Sequence, residues 1–228
     1  MNKASKDMLY ADLKRRILTL TLEPGMHLDE KTLSADYGLS RTPLREVFRR
    51  LAGEGYIQIR DNRGTIVSPM SHKSMRSFFL TAPMIYASVA RLASQNATAE
   101  QIKALKVVQK KFRKAVDDDR VEDMVLWNDR FHFDMGLMAD NQYLMPSLQR
   151  LLIDHARIGQ TFWRARGKAM RKRIHQAADH HDRFIGVIEA GDEEEAVTLT
   201  LDHWALSRDY MEMFIRPDPL PLDVAQPG

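Results

Sequence analysis

A mainly α-helical fold is expected, in two unequal parts: a small helical unit closed by one β-hairpin, then an antiparallel bundle of six to seven helices. Three observations carry this. Apolar residues recur at helical spacing along most of the 228 positions. The one convincing pair of β-branched runs, YIQIR and TIVSP, flanks a turn over residues 61–64. From there to about Met213 every pattern has a helical period, interrupted by turn residues.

Taken in order, residues 6–20 make a first helix with Leu9, Leu13, Ile17 and Leu20 on its apolar side, and Pro24 and Gly25 turn the chain. Asp29 caps a short second helix holding Leu33, Ala35 and Tyr37, which Gly38 ends. A third helix opens after Ser40, with Pro43 in its first turn, where a backbone N–H has no partner to lose. Leu44, Val47, Phe48, Leu51 and Ala52 form its buried stripe, and Gly53 and Gly55 close it. On the other side Arg41, Arg45 and Arg49 stand four apart and form one ridge. Two short helices joined by a Gly-containing turn make a helix-turn-helix, and the following hairpin, with Arg60 and Arg63 at its end, makes it winged. Such a ridge suits the DNA major groove, because guanidinium forks bond guanine edges and phosphates. A merely solvated face is the plainer alternative.

At this point LEPGMHLDEKTLSADYGLSRTPLREVFRRLAGEGYIQIRDNRGTIV resembles the DNA-binding domain of the GntR family of bacterial transcription regulators. The resemblance covers residues 6–70 without a gap, and SRTPLRE and NRG are its most specific segments. It implies operator contacts from Arg41, Thr42 and Arg45 on the third helix and from Lys31 on the second. Arg49 lies on the same ridge, and Gly64 lets the wing tip, with Arg63, approach the minor groove.

Composition bounds the rest. No cysteine occurs, so disulfides and thiolate metal sites are excluded and a reducing cytoplasm fits. MNKASKDMLYADLKRR lacks the apolar core of a signal peptide, and no run approaches the roughly 20 apolar residues of a membrane span. A soluble, cytoplasmic protein without membrane contact is expected. Residues 1–70 hold 12 Lys and Arg against 9 Asp and Glu, whereas residues 71–228 hold 22 of each sign. The whole net charge of +3 therefore falls on the N-terminal unit. The expected domains are 1–70 for DNA and 71–216 for effector binding and dimerisation, with a flexible Pro-rich tail over 217–228.

In the second part, Ser74–Gln95 is expected to be helical, with a kink or break at Pro83. Thr98 and Gln101 form a capping box for a helix to about Val116. Further helices span 121–139, 142–166, 169–190 and 193–215, the last two joined at Gly191 and Asp192. His132 has Asn128 one turn before it on the same face. His181 lies on a stripe with Ala177, Ala178, Phe184, Ile185 and Ile188, and His203 lies between Leu199, Leu206 and Tyr210. Each of the latter two stands eleven residues from Asp192, so the arms of the helical hairpin bring both imidazoles to one level. Three inward histidines and an amide oxygen suit a divalent cation such as zinc, nickel or manganese. Three unrelated core histidines, each bonded to a neighbour, is the alternative. His27, His72, His155, His175 and His180 lack comparable apolar flanks and stay unassigned.

NDRFHFDM, HDRFIGVIEAGDEEEAV and LDHW are similar to the helical effector domain of the FadR subfamily, the FCD domain. That resemblance implies a divalent metal, zinc first, on Asn128, His132, His181 and His203, with a small carboxylic acid beside it. Two departures stand out. Asn128 replaces a frequent aspartate, and FFLTAPMIYASVARLA, with Pro83, Ile85 and Tyr86, replaces an arginine and leucine-glutamate pattern. Tyr86 becomes an expected wall of the effector pocket. Arg157 becomes the expected anchor for a carboxylate, an ordinary exposed arginine being the plainer reading. The combined expectation is a ligand-responsive regulator, a repressor, acting as a homodimer on a palindromic operator and not as an enzyme. Its rivals are a metal-dependent enzyme using the histidine site, which lacks a well-placed general base although Asp129 and Asp134 flank His132, a metal-free sensor, and an architectural DNA binder.

Overall fold

The computed structural model describes residues 3–61, 64–164 and 166–212; Arg63 and the Pro-rich tail lie outside the described residues. Helix α1 (Lys3–Leu18) buries Leu9, Leu13 and Ile17. Leu18 completes its stripe, not Leu20, which sits in the following turn at φ +59°. Strand β1 (His27–Leu28) was not foreseen, since two residues are too few to show a period. In α2 (Glu30–Asp36), Asp29 accepts from Lys31 N at 2.9 Å and Thr32 Oγ1 at 2.6 Å, so the expected cap forms. Leu33 is buried and Ala35 is exposed, and Tyr37 falls at the C-cap just past the helix. Tyr37 reaches α1 through its hydroxyl, which donates to Asp12 at 2.6 Å.

Helix α3 (Arg41–Glu54) buries Pro43, Leu44, Val47, Phe48 and Leu51. Ser40 occupies the N-cap position but makes no side-chain cap bond. Gly53 lies within the helix, and closure falls to Gly55, left-handed at φ +91°. Strands β2 (Ile57–Arg60) and β3 (Gly64–Val67) pair antiparallel from Ile57 opposite Val67 to Arg60 opposite Gly64. Strand β1 adds to the other side of β3, giving the order β1-β3-β2.

Six further helices follow among the described residues: α4 (His72–Asn96), α5 (Ala99–Asp117), α6 (Val121–Met138), α7 (Leu144–Trp163), α8 (Lys168–Ala190) and α9 (Glu193–Glu212). The Thr98 and Gln101 capping box forms as expected. Helix α4 runs through Pro83 without the expected break. Its buried stripe of Phe78, Ala82, Tyr86, Val89 and Ala90 continues across the proline, and that packing outweighs the one backbone hydrogen bond a proline removes. No helix among the described residues is long and apolar enough to cross a membrane.

The winged helix and the bundle share one hydrophobic cluster. Leu9, Leu13, Ile17 and Phe48 belong to it with Phe112, Val125, Ile153, Ala156 and Trp163. A second cluster joins α4 and α9 to the other sides of α6, α7 and α8. Polar bonds from α7 reinforce the first. Gln160 Nε2 donates to Leu18 O at 3.2 Å, and Arg157 Nη1 donates to Ser68 O at 2.7 Å. Arg157 is fully buried and ion-paired with Asp154, which also takes Arg150 at 3.2 Å.

Removing one partner of a buried ion pair leaves the other charge stranded. The variant Arg157→Met is expected to lose about 3 kcal/mol of stability in urea denaturation, because Arg150 alone is left to compensate Asp154. A loss below about 1 kcal/mol would mean that the pair contributes no more than a surface bridge.

Candidate functional site

Two surfaces collect the residues that carry chemistry. On α3, Arg41, Thr42, Arg45 and Arg49 are all exposed, as is Lys31 on α2. Arg45 Nε lies 3.3 Å from Glu30 Oε2, with both side chains open to water. Such a pair is worth little, so the guanidinium is readily exchanged to another anion. The other acids of α3 are engaged elsewhere: Glu46 with Lys6 at 2.8 Å, and Glu54 with Arg50 and the Tyr10 hydroxyl. That leaves the ridge basic. Gly64 holds φ +75° with open space around a built Cβ, so its glycine answers a backbone need and not a steric one.

The second site lies inside the bundle. Asn128 and His132 come from α6, His181 from α8 and His203 from α9. One ring nitrogen from each histidine lies within 4.8 Å of the others, with His132 and His181 buried and His203 partly so. Ring centroids are 5.3 Å apart for His132 and His181, 5.6 Å for His132 and His203, and 5.0 Å for His181 and His203. The equal spacing from Asp192 therefore does put His181 and His203 side by side. Buried nitrogens without a protein partner remain on all three rings: His132 Nε2, His181 Nε2 and His203 Nδ1. Asn128 is buried and lines a small cavity with His203.

Burial disfavours the charged imidazolium, and neighbouring rings add to the effect. It drives His132 and His181 well below the ordinary histidine value and His203 down to about 3. All three are neutral near pH 7, the state in which imidazole ligates a cation.

Sequence reasoning missed His155. It projects from α7 beside His132, with ring centroids 5.7 Å apart, and its Nδ1 lies 2.8 Å from the Tyr86 hydroxyl. Burial brings it down to about 4. A cavity lined by Tyr86, Val89, His132, Met135, His155, Phe184, Thr200, His203 and Trp204 has room for about one water-sized particle. Among the described residues no Lys, Arg, Asp or Glu lines it. Asp154 and Arg157 beside His155 are charged, so that histidine stays unassigned when only its near neighbours are considered. The available signal was helical spacing: Leu148, Leu151 and Leu152 stand seven, four and three residues before His155, and Ile158 and Phe162 three and seven after it, which puts the ring on the apolar stripe of α7. His180 is buried too, 5.6 Å from the His203 ring.

Tyr86 thus lies on the pocket wall, whereas Arg157 does not line either cavity. Its guanidinium faces the winged helix, and the reading of an ordinary exposed arginine also fails, since no part of it is exposed. Standing two positions after His155, it points to another side of α7.

Two known families match the sequence: bacterial regulatory proteins of the gntR family over residues 5–67, and the FCD domain over residues 84–206. The HTH-type transcriptional repressor RspR of Escherichia coli K12 is 32% identical over 143 residues, which is 63% of this chain and 63% of that protein. The match thus spans under two thirds of that relative's length. The Nta operon transcriptional regulator of Aminobacter aminovorans is 26% identical over 156 residues, 67% of this chain and 72% of its own. Among solved structures, E. coli McbR/YncC has a TM-score of 0.77 at 16% identity, covering 94% of this chain and 100% of that one, a likeness of fold. Both named relatives are transcriptional regulators, not enzymes. With an FCD match over more than half its length behind a winged helix-turn-helix, the chain belongs to the GntR family of bacterial regulatory proteins, in its FadR-like branch.

Proposed function

We propose that this protein is a cytoplasmic, homodimeric transcriptional repressor that binds a palindromic operator and responds to a small carboxylic acid held beside a divalent metal. Residues 1–70 serve DNA and residues 71–216 serve the effector and the dimer. The observation that carries this reading is the cluster of His132, His181 and His203 in the same chain as an exposed arginine ridge.

Arg41, Thr42, Arg45 and Arg49 read or grip the operator, with Lys31 and the wing at Gly64 and Arg63 on its backbone and minor groove. Zinc is the first candidate for the ion, with nickel and manganese behind it. The donor set fits such an ion. A buried nitrogen without a partner costs about 1–3 kcal/mol, and three beside one another form a set that one cation satisfies. Asn128 offers an amide oxygen without a charge. When bound, the ion supplies the positive charge that the pocket walls lack, and so a docking point for a carboxylate. That absence of Lys and Arg favours the metal form over a metal-free sensor. Tyr86 and His155 face the acid from the opposite wall; Arg157 is withdrawn as its anchor.

The homodimer is supported by α4. Residues 77–90 carry no charge, and Leu80 and Met84 stand 66% and 69% exposed. A surface of that kind is covered by a partner. Control requires the effector to bind two dimer geometries with different affinity, only one of which spaces the recognition helices for the operator.

Three outcomes are expected. In fluorescence anisotropy, Arg41→Ala loses about 1–3 kcal/mol on the specific operator and much less on random DNA; equal losses would make it a phosphate contact only. Elemental analysis of untagged protein finds about one divalent ion per chain, small carboxylic acids raise the melting temperature only without chelator, and His181→Ala abolishes that rise while operator binding persists. No ion, with acid stabilisation that survives chelation, would establish the metal-free sensor instead.

The third outcome concerns pH. His203 and His155 titrate at about 3 and about 4 in the folded chain. Unfolded histidine titrates near 6.5, so between about 4 and 6.5 the unfolded chain binds more protons and stability rises with pH. Chelator-treated protein is expected to hold a constant melting temperature above pH 7 and to lose stability below 6.5. The limiting slope is about 1.4 kcal/mol per pH unit for each histidine. A flat profile down to pH 5 would place these rings in water.

A further inference from the structure

We propose that Gln109 is the positioning residue that holds His181 with its proton on Nδ1 and leaves the Nε2 lone pair open beside His132 and His203. The consequence for metal binding rests on the reading above; the assignment of the proton does not.

Gln109 is buried on α5, with its amide between two partners on α8. Its Nε2 donates to Ala178 O at 2.8 Å. A carbonyl has no proton to give, so the amino end of the amide must lie on that side. The carbonyl end then faces His181, with Oε1 3.2 Å from Nδ1. An amide oxygen only accepts, so Nδ1 carries the hydrogen and donates. Nε2 is left as the acceptor, buried and without a protein partner.

Packing fixes the ring in that orientation. Phe131 stacks on it at 4.0 Å with planes 3° apart, and Phe112 covers the other region at 4.7 Å. Turning the imidazole over would set a carbon against Gln109 Oε1 and forfeit a buried hydrogen bond. Because Ala178 is one helical turn before His181, the same amide also ties α5 to the segment of α8 that carries the ring. Ligating histidines commonly need an acceptor on the second nitrogen to set tautomer and angle. Here that acceptor is neutral, as Asn128 is neutral, so neither group would offset an ion's charge, which stays available to an anionic ligand.

The test begins with the chelator-treated wild-type protein, in which long-range proton–nitrogen NMR correlations report which nitrogen of His181 is protonated. Nδ1–H is expected, and Nε2–H would overturn the proposal without any variant. Gln109→Met keeps length but offers no acceptor, and is expected to shift His181 toward Nε2–H. It should also weaken zinc binding, measured against a chromophoric chelator, by roughly 10–100-fold. Gln109→Glu restores both bonds, a protonated carboxyl donating to Ala178 O and accepting from Nδ1–H, so the wild-type tautomer and at least wild-type zinc affinity should return. An unchanged tautomer in Gln109→Met would also overturn the proposal. A wild-type protein that shows Nδ1–H yet binds no zinc would sink the metal reading alone and leave the role of Gln109 standing.

Discussion

An imidazole taken out of water must give up its charge or keep a partner for each ring nitrogen. This bundle draws His132, His155, His181 and His203 together in one layer, on four different helices. Phe131 and Phe112 enclose His181, while Tyr86, Phe184 and Trp204 cover much of the others, of which His155 and His203 stay partly exposed. Burial in apolar surroundings keeps the rings neutral near pH 7.

Helix α7 links this layer to the winged helix. Leu151, Leu152 and Ile158 pack in the cluster around α4 and α9, while Ile153, Ala156, Phe162 and Trp163 pack in the cluster with α1 and α3. His155 points to the pocket, and Arg157 and Gln160 point to backbone carbonyls of the N-terminal unit. From residue 151 to 163 no residue of α7 is exposed, so a shift of His155 is a shift of Arg157.

Much of this was readable from residue spacing, and what failed did so for one kind of reason. The ridge of Arg41, Arg45 and Arg49, the capping box of Thr98 and Gln101, and the matched levels of His181 and His203 follow from helical geometry alone. Tertiary contacts decided the rest. Pro83 was read by local propensity, but the stripe around it belongs to a core. Arg157 reads as a carboxylate anchor or an exposed arginine, and His155 stays unassigned, because local sequence does not show a buried partner; here Asp154 and Ser68 O take up the guanidinium, and Tyr86 the ring. Strand β1 exists only because β3 offers it an edge. The partner of His181, Gln109, lies 72 residues away and has no local signature.

The small cavity among Tyr86, His155, His203 and Trp204 has a mechanical meaning. A space for about one water-sized particle is too small for even a short organic acid, so an acid that enters acts as a wedge between α4 and α9. Only four residues separate the end of β3 from the start of α4, and Ser68, the first of them, is clamped by Gly55 O at 2.7 Å as well as by Arg157. With so little slack, under the proposed function a guest thick enough to part those helices would displace the wing as well.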